Sequence, residues 1–342
     1  MKVSPGKLWG LRRLSDDSGR FKMLAMDQTG PIVNPIKQKR GVDAAPFSDI
    51  SAVKGMLAEY LAPHTSAVLV DPPFGYASAV HAIPPRTGLI LATEWATWVV
   101  TEGGRKSSNI PQWDAGEIRK IGADAVKVNL WFRSDVDPEV RAHQLAYLQS
   151  VKEACKANDI VFLLEFLIYP FPHEDPNLVV QNRTRMVLEA LSDPDVMDPD
   201  GVDVYKLEAP IHVHNVPEPD GPEAADVQKL FDKMAGNLKR PWVLLSAGAG
   251  PEDFLKKLVY AYRAGASGYL AGRAIWAQAF DQFPDMKAME SKLRDEAVPF
   301  MHRVNELTER MARPWQEHSS WQGSIEMDPS GPDFAKLYGK AR

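Results

Sequence analysis

Eight short apolar runs, each ending at or near a polar residue, alternate mostly with helical patterns between residues 21 and 273. The runs are Phe21–Asp27, Ser66–Asp71, Gly88–Glu94, Ala123–Asn129, Ile160–Glu165, Gly201–Pro210, Pro241–Ser246 and Gly268–Gly272. Helical spacing is read over 49–61, 138–157, 182–191, 223–239 and 251–265. Strands alternating with helices require a parallel sheet covered on both faces. Eight such units ending near residue 280 favour closure into a (β/α)8 barrel over an open doubly wound sheet. No Gly-x-Gly-x-x-Gly follows the first run, which argues against a dinucleotide-binding fold. The fold class expected is α/β, a single (β/α)8 TIM barrel with a C-terminal helical extension. The barrel core would cover about 20–282, with a helix over 285–312 and a tail from 313 to 342.

Composition narrows the partners. Forty lysines and arginines against 45 aspartates and glutamates leave a formal charge of −5, which gives no reason to expect nucleic acid or an anionic membrane. The single cysteine, Cys155, excludes an intrachain disulfide and sits on an expected amphipathic helix, as a structural thiol of a reducing compartment would. Neither a signal core nor a run of ~18 apolar residues is present. A soluble cytoplasmic protein is therefore expected, as a homo-oligomer.

The strand ends carry the chemistry. Active groups of such barrels sit at the carboxyl ends of the strands, and here those ends hold Asp27, Asp71, Glu94, Lys127, Glu165, Lys206, Ser246 and Arg273. In the run Gly201–Pro210, period two puts Val202, Val204, Lys206 and Glu208 on one face. A lysine on a buried face is costly unless paired or chemically used. Lys127 comes from a strand of the same parity as Lys206. A second ammonium about 6 Å away, at an effective dielectric of ~20, disfavours the charged form by roughly 3 kcal/mol, on the order of two pKa units. The expectation is that the pair frees a neutral amine able to form an imine, with a neighbouring acid moving protons. The competing expectation is that each lysine simply pairs with one of the acids.

A second cluster follows strand seven. In Leu245-Ser-Ala-Gly-Ala-Gly-Pro251, Gly248 and Gly250 let backbone N–H groups face a ligand, and Pro251 suits a helix first turn. Gly272 and Arg273 follow one strand later, and the loops after strands seven and eight are the usual phosphate site of barrels. His212 and His214, with His81 or His173, read as solvent-facing rather than as a metal site, so no metal or cofactor is expected. Arg183 and Arg185 are read as solvated, and the tryptophans as packing or oligomer contacts.

These motifs carry a resemblance to a known family. Met23-Leu-Ala-Met-Asp-Gln28, Gly122-Ala-Asp-Ala-Val-Lys127, Phe162-Leu-Leu-Glu165, Asp203-Val-Tyr-Lys-Leu-Glu208, Leu245-Ser-Ala-Gly248 and Gly272-Arg-Ala-Ile-Trp276 resemble the tagatose 1,6-bisphosphate aldolase family, class I aldolases on a barrel. The resemblance runs from about residue 8 to 282. It implies a metal-free enzyme that cleaves a ketose bisphosphate to dihydroxyacetone phosphate and an aldehyde. By resemblance, Lys206 forms the Schiff base, Glu165 and Lys127 move protons and polarise the carbonyl, and Asp27 and Gln28 hold hydroxyls. Ser246 and Arg273 match the phosphate end, and Glu94, Gly248 and Gly272 complete the expected substrate contacts. One departure stands out: Thr29 occupies a position where the family commonly has an arginine. A sulfosugar phosphate therefore remains an alternative substrate, and a metal-dependent aldolase or a silent phosphosugar-binding barrel remain alternative functions.

Overall fold

The computed structural model describes residues 2–95, 98–321 and 325–340. Eight parallel strands close a barrel in sequence order: β1 (Phe21–Ala25), β2 (Ala67–Val70), β3 (Gly88–Ala92), β4 (Ala125–Trp131), β5 (Val161–Leu167), β6 (Val204–Leu207), β7 (Trp242–Leu244) and β8 (Gly268–Ala271). Along each strand the side chains alternate between two separate cores. Leu24, Val68, Leu91, Val126, Phe162, Tyr205, Leu244 and Tyr269 face outward and pack under the helices. Met23, Ala25, Leu69, Ile90, Ala125, Leu163, Val204 and Leu270 fill the interior. Stepping along that inner face toward the carboxyl ends, apolar residues give way to Lys127, Glu165 and Lys206. The same period that packs the barrel floor thus aims the charges into its mouth.

The amino-terminal mouth is plugged by both ends of the chain. The helix Pro5–Leu14 puts Leu11 and Leu14 into the inner core, and Trp315 and Trp321 of the tail join them. Lys2–Val3 pairs in parallel with Glu326–Met327. A Cβ on Gly6 would stand 2.2 Å from the Asp159 carbonyl oxygen, and one on Gly10 would stand 2.7 Å from that of Asp124. Only glycine permits this approach. This helix is outside the spans expected above, because its two glycines dilute the apolar stripe of Leu8, Leu11 and Leu14.

Other departures are local. The chain after β1 forms a helix, Gly30–Arg40, outside the helical spans expected above; proline is tolerated in a helix first turn. The helix expected over 182–191 begins earlier, as Pro176–Ala190, because the Asp175 side chain accepts a hydrogen bond from the Asn177 N–H and caps it. After β3 an antiparallel hairpin, Val99–Thr101 with Gly104–Lys106, covers part of the mouth. Among the described residues no helix is long and apolar enough to cross a membrane.

Candidate active site

Five side chains from β1, β3, β4, β5 and β6 meet in one ion network at the carboxyl end of the barrel. The Lys127 ammonium lies 2.9 Å from Asp27 Oδ2, 2.6 Å from Glu94 Oε1 and 2.7 Å from Glu165 Oε2. The other oxygen of Glu165, Oε1, lies 3.0 Å from the Lys206 ammonium. Glu165 and Lys206 are register partners on adjacent strands, which holds the carboxylate between the two lysines. Lys127, Glu165 and Lys206 are 2%, 5% and 3% exposed, so bulk water screens none of these contacts.

The electrostatics correct the expected role of Lys127. Burial alone would push its ammonium toward neutrality, but the carboxylates of Asp27, Glu165 and Glu94 outweigh burial and hold its pKa well above the usual lysine value. Lys127 is therefore held in its cationic form by its carboxylates, and Glu165 stands between it and Lys206. Burial pushes Asp27 up, but Lys127 and Lys206 outweigh it and keep its carboxyl below the ordinary range. Glu94 goes the other way: burial, reinforced by Asp27, raises it despite Lys127.

Several polar atoms around this network stay unengaged. Among the described residues, Asp27 Oδ1, Gln28 Oε1, Glu94 Oε2 and Asn129 Oδ1 are buried and accept no hydrogen bond from the protein. Buried acceptors without donors are costly, so four of them at the mouth suit a ligand rich in hydroxyl groups. Asn129, two residues beyond Lys127 on the inward face of β4, was not singled out as a ligand contact in the sequence. Its signal was there, as a polar residue in phase with the lysine.

The second cluster forms beside the first. After β7, Ala247 and Gly248 adopt left-handed backbone, with φ of 53° and 82°, turning the chain so that Ser246 precedes the helix Pro251–Arg263. Gly248 packs against Arg273, where an added Cβ would lie 3.2 Å from the guanidinium. Gly272 brings the backbone so near β1 that a Cβ would meet the Ala25 carbonyl oxygen at 2.4 Å and the Gln28 amide at 3.0 Å. The Arg273 guanidinium is within electrostatic reach of Glu165 and Asp27, which joins the two clusters. Every residue assigned to the site from sequence thus lies at one end of the barrel.

One strand-end residue and one helix arginine do other work. Asp71 forms a buried ion pair with Lys54 of the helix Phe47–Leu61, and Arg183 is engaged by Glu208 at 2.9 Å rather than solvated. No cluster of three or more metal-ligating side chains occurs among the described residues.

Residues 21–278 match the model of the DeoC/LacD family aldolases. The chain is 31% identical over 332 residues to tagatose 1,6-diphosphate aldolase 1 of Streptococcus mutans, covering 93% of this chain and all of that one. It is likewise 31% identical over 333 residues to tagatose 1,6-diphosphate aldolase of Lactococcus lactis, covering 93% of this chain and 99% of that one. Among solved structures, fructose-bisphosphate aldolase from Plasmodium falciparum superposes with a TM-score of 0.63 at 14% identity, over 92% of this chain and 98% of that one. A Schiff-base-forming fructose-1,6-bisphosphate aldolase superposes with a TM-score of 0.53 at 17% identity, over 88% of this chain and 99% of that one. The last two likenesses speak for the barrel fold. The chain belongs to the DeoC/LacD aldolase family and is an aldolase, a carbon–carbon lyase.

Proposed function

We propose that the protein is a class I aldolase that reversibly cleaves a ketose bisphosphate, such as tagatose 1,6-bisphosphate, to dihydroxyacetone phosphate and glyceraldehyde 3-phosphate. The observation that carries this reading is the carboxylate of Glu165 shared between two buried lysines. Glu165 takes a proton from the Lys206 ammonium, and the neutral amine adds to the ketose carbonyl carbon. The same carboxylic acid returns the proton as the carbinolamine loses water, leaving an iminium on Lys206. Glu165, again a carboxylate, removes the proton of the hydroxyl on the carbon beyond the scissile bond. The electron pair of that carbon–carbon bond moves into the iminium to give an enamine, and the aldehyde departs. Protonation of the enamine and hydrolysis of the imine release the dihydroxyacetone phosphate half and restore the amine.

Lys127, held cationic by three carboxylates, stabilises the oxygen that develops negative charge as the carbinolamine forms. The unpaired oxygens of Asp27, Gln28 and Glu94 accept hydrogen bonds from sugar hydroxyls. Ser246, Gly248, Gly272 and Arg273 hold the phosphate next to the carbonyl, with the start of helix Pro251–Arg263 contributing its N–H groups. The family match and the names of the relatives support the sugar class. Treatment with borohydride in the presence of dihydroxyacetone phosphate is expected to add the reduced three-carbon unit to Lys206, read by peptide mapping, and Lys206→Ala is expected to abolish both adduct and turnover. Turnover that survives Lys206→Ala overturns the assignment.

A further inference from the structure

A sugar carrying an anion at each end needs a cation at each end of its site, and Thr29 leaves the turn after β1 without one. Among the described residues, Arg105, Arg133, Arg183 and Arg273 follow the carboxyl ends of barrel strands. Arg133 is engaged by Asp135 and Glu174, and Arg183 by Glu208. Arg273 serves the loop after β7 and, among the described residues, has no carboxylate at ion-pairing distance. Arg105 likewise has none among the described residues, and its side chain donates no hydrogen bond to them.

Arg105 lies on the hairpin after β3 and is packed among three aromatic rings. Its guanidinium carbon stands 4.8 Å from the centre of the Trp98 ring, 4.4 Å from Trp131 and 4.6 Å from Tyr169. The rings brace one another, Trp98 against Trp131 at 4.7 Å and Trp131 against Tyr169 at 5.9 Å. Tyr169 also fixes the arginine's backbone, accepting a hydrogen bond from its N–H at 3.0 Å. Ring faces attract a guanidinium but leave its N–H edge unsatisfied. The group is thus locked in orientation, half-buried and short of acceptors. A cavity of about 320 Å³ lies beside it, lined among others by Gly104, Arg105, Tyr169, Phe171 and Glu174, whose carboxylate is already engaged by Arg133.

The location is as informative as the chemistry. Lys127, Asn129 and Trp131 share the inward face of β4, since Val126, Val128 and Leu130 pack in the outer core. That face presents an ammonium, then an amide with an unpaired oxygen about 7 Å higher, then the indole bearing Arg105 about 13 Å above the lysine. In the barrel order β4 stands opposite β8, the strand that leads into Arg273. Arg105, packed on Trp131 of β4, and Arg273, which follows β8, thus belong to opposite strands of the barrel.

We infer that Arg105, clamped by Trp98, Trp131 and Tyr169, is a specificity-determining residue that binds the anionic group at the end of the aldehyde half of the substrate, with Asn129 accepting a hydroxyl on the way. The substrate class is a ketose with a phosphate beside its carbonyl and a second phosphate or sulfonate at its far end. This inference rests on the proposed aldolase reading and names what that site selects.

The test compares tagatose 1,6-bisphosphate with fructose 1-phosphate, which lacks the far anion, in wild type, Arg105→Gln and Arg105→Lys. Charge-assisted contacts of this kind predict a loss on the order of 10–100-fold in kcat/KM for the bisphosphate in Arg105→Gln. Fructose 1-phosphate should change less than about twofold, and Arg105→Lys should recover part of the loss by keeping the charge. Calorimetric binding of the same two sugars to Lys206→Ala protein, with and without Arg105→Gln, reads the same preference without turnover. Equal losses on both sugars would make the aromatic clamp a purely structural device and overturn the inference, as would unchanged discrimination. Failure of the underlying reading looks different: no borohydride adduct at Lys206 in the wild-type protein, whatever residue 105 is.

Discussion

Replacing Lys127 by methionine removes the one cation that Asp27, Glu94 and Glu165 all contact, and its cost follows from the geometry. At 2.6–2.9 Å from each oxygen and an effective dielectric of ~20, each contact is worth on the order of 6 kcal/mol before desolvation. Desolvation of four charged groups offsets most of that, and breaking a buried pair typically costs about 3–5 kcal/mol net. The variant is therefore expected to lose about 3–5 kcal/mol at pH 8 and distinctly less at pH 5.

The sign follows from linkage. In the wild type, Asp27 titrates below its unfolded value, so its stabilisation is present above pH ~4 and is lost only as pH falls toward about 2. In the variant, burial and mutual repulsion act on Asp27 and Glu94 without their shared cation and raise their folded pKa values above the unfolded ones. The destabilisation then grows as pH rises from ~4 through those raised values. Urea unfolding followed by circular dichroism at pH 5, 6.5 and 8 measures it. A difference from wild type that is the same at pH 5 and pH 8 would refute the picture of Lys127 as the counter-ion of the cluster. Borohydride trapping should persist in the variant at a reduced rate, because Lys206 keeps its carboxylate.

Three further outcomes are expected. Glu165→Gln should still bind sugar but lose turnover by about 10²–10⁴-fold, the usual range for a general acid–base group, and wild-type kcat in a dihydroxyacetone phosphate release assay would sink the proposed proton route. Lys257, 1% exposed on helix Pro251–Arg263, is pushed down to about 8 by burial and by Arg183. Its folded pKa lies below the unfolded ~10.4, so burying its charge costs stability in full below pH 8, and that cost fades as pH rises from about 8 to ~10.4. Lys257→Met should accordingly raise stability by about 2–3 kcal/mol at pH 7 and little at pH 10, and a pH-independent gain in chemical denaturation would contradict this. Gly272→Ala, whose Cβ would meet the Ala25 carbonyl oxygen at 2.4 Å, should displace the turn bearing Arg273 and raise KM more than it lowers kcat; unchanged kinetics would mean the close approach is not needed.

The linear chain determined the barrel and the place of its chemistry, because both depend on short-range periodicity. Period-two alternation in a run such as Ala125-Val-Lys-Val-Asn129 fixes which side chains face inward, and eight β–α units leave few ways to close a sheet. The inward charges Lys127, Glu165 and Lys206 were legible for that reason, as was the glycine turn at Gly248. Pairing between strands was not, since it depends on register and side-chain reach across the barrel. The sequence suggested that two lysines face each other; the fold puts Glu165 between them and hands Lys127 to Asp27 and Glu94 as well, which reverses the direction of its pKa. Helix Pro5–Leu14 was hidden because its glycines matter only where another backbone comes within contact distance. Arg105 was silent for the same reason: a lone arginine on a short hairpin acquires meaning only when Trp98, Trp131 and Tyr169, far apart along the chain, close around it and leave its charge unpaired beside the mouth.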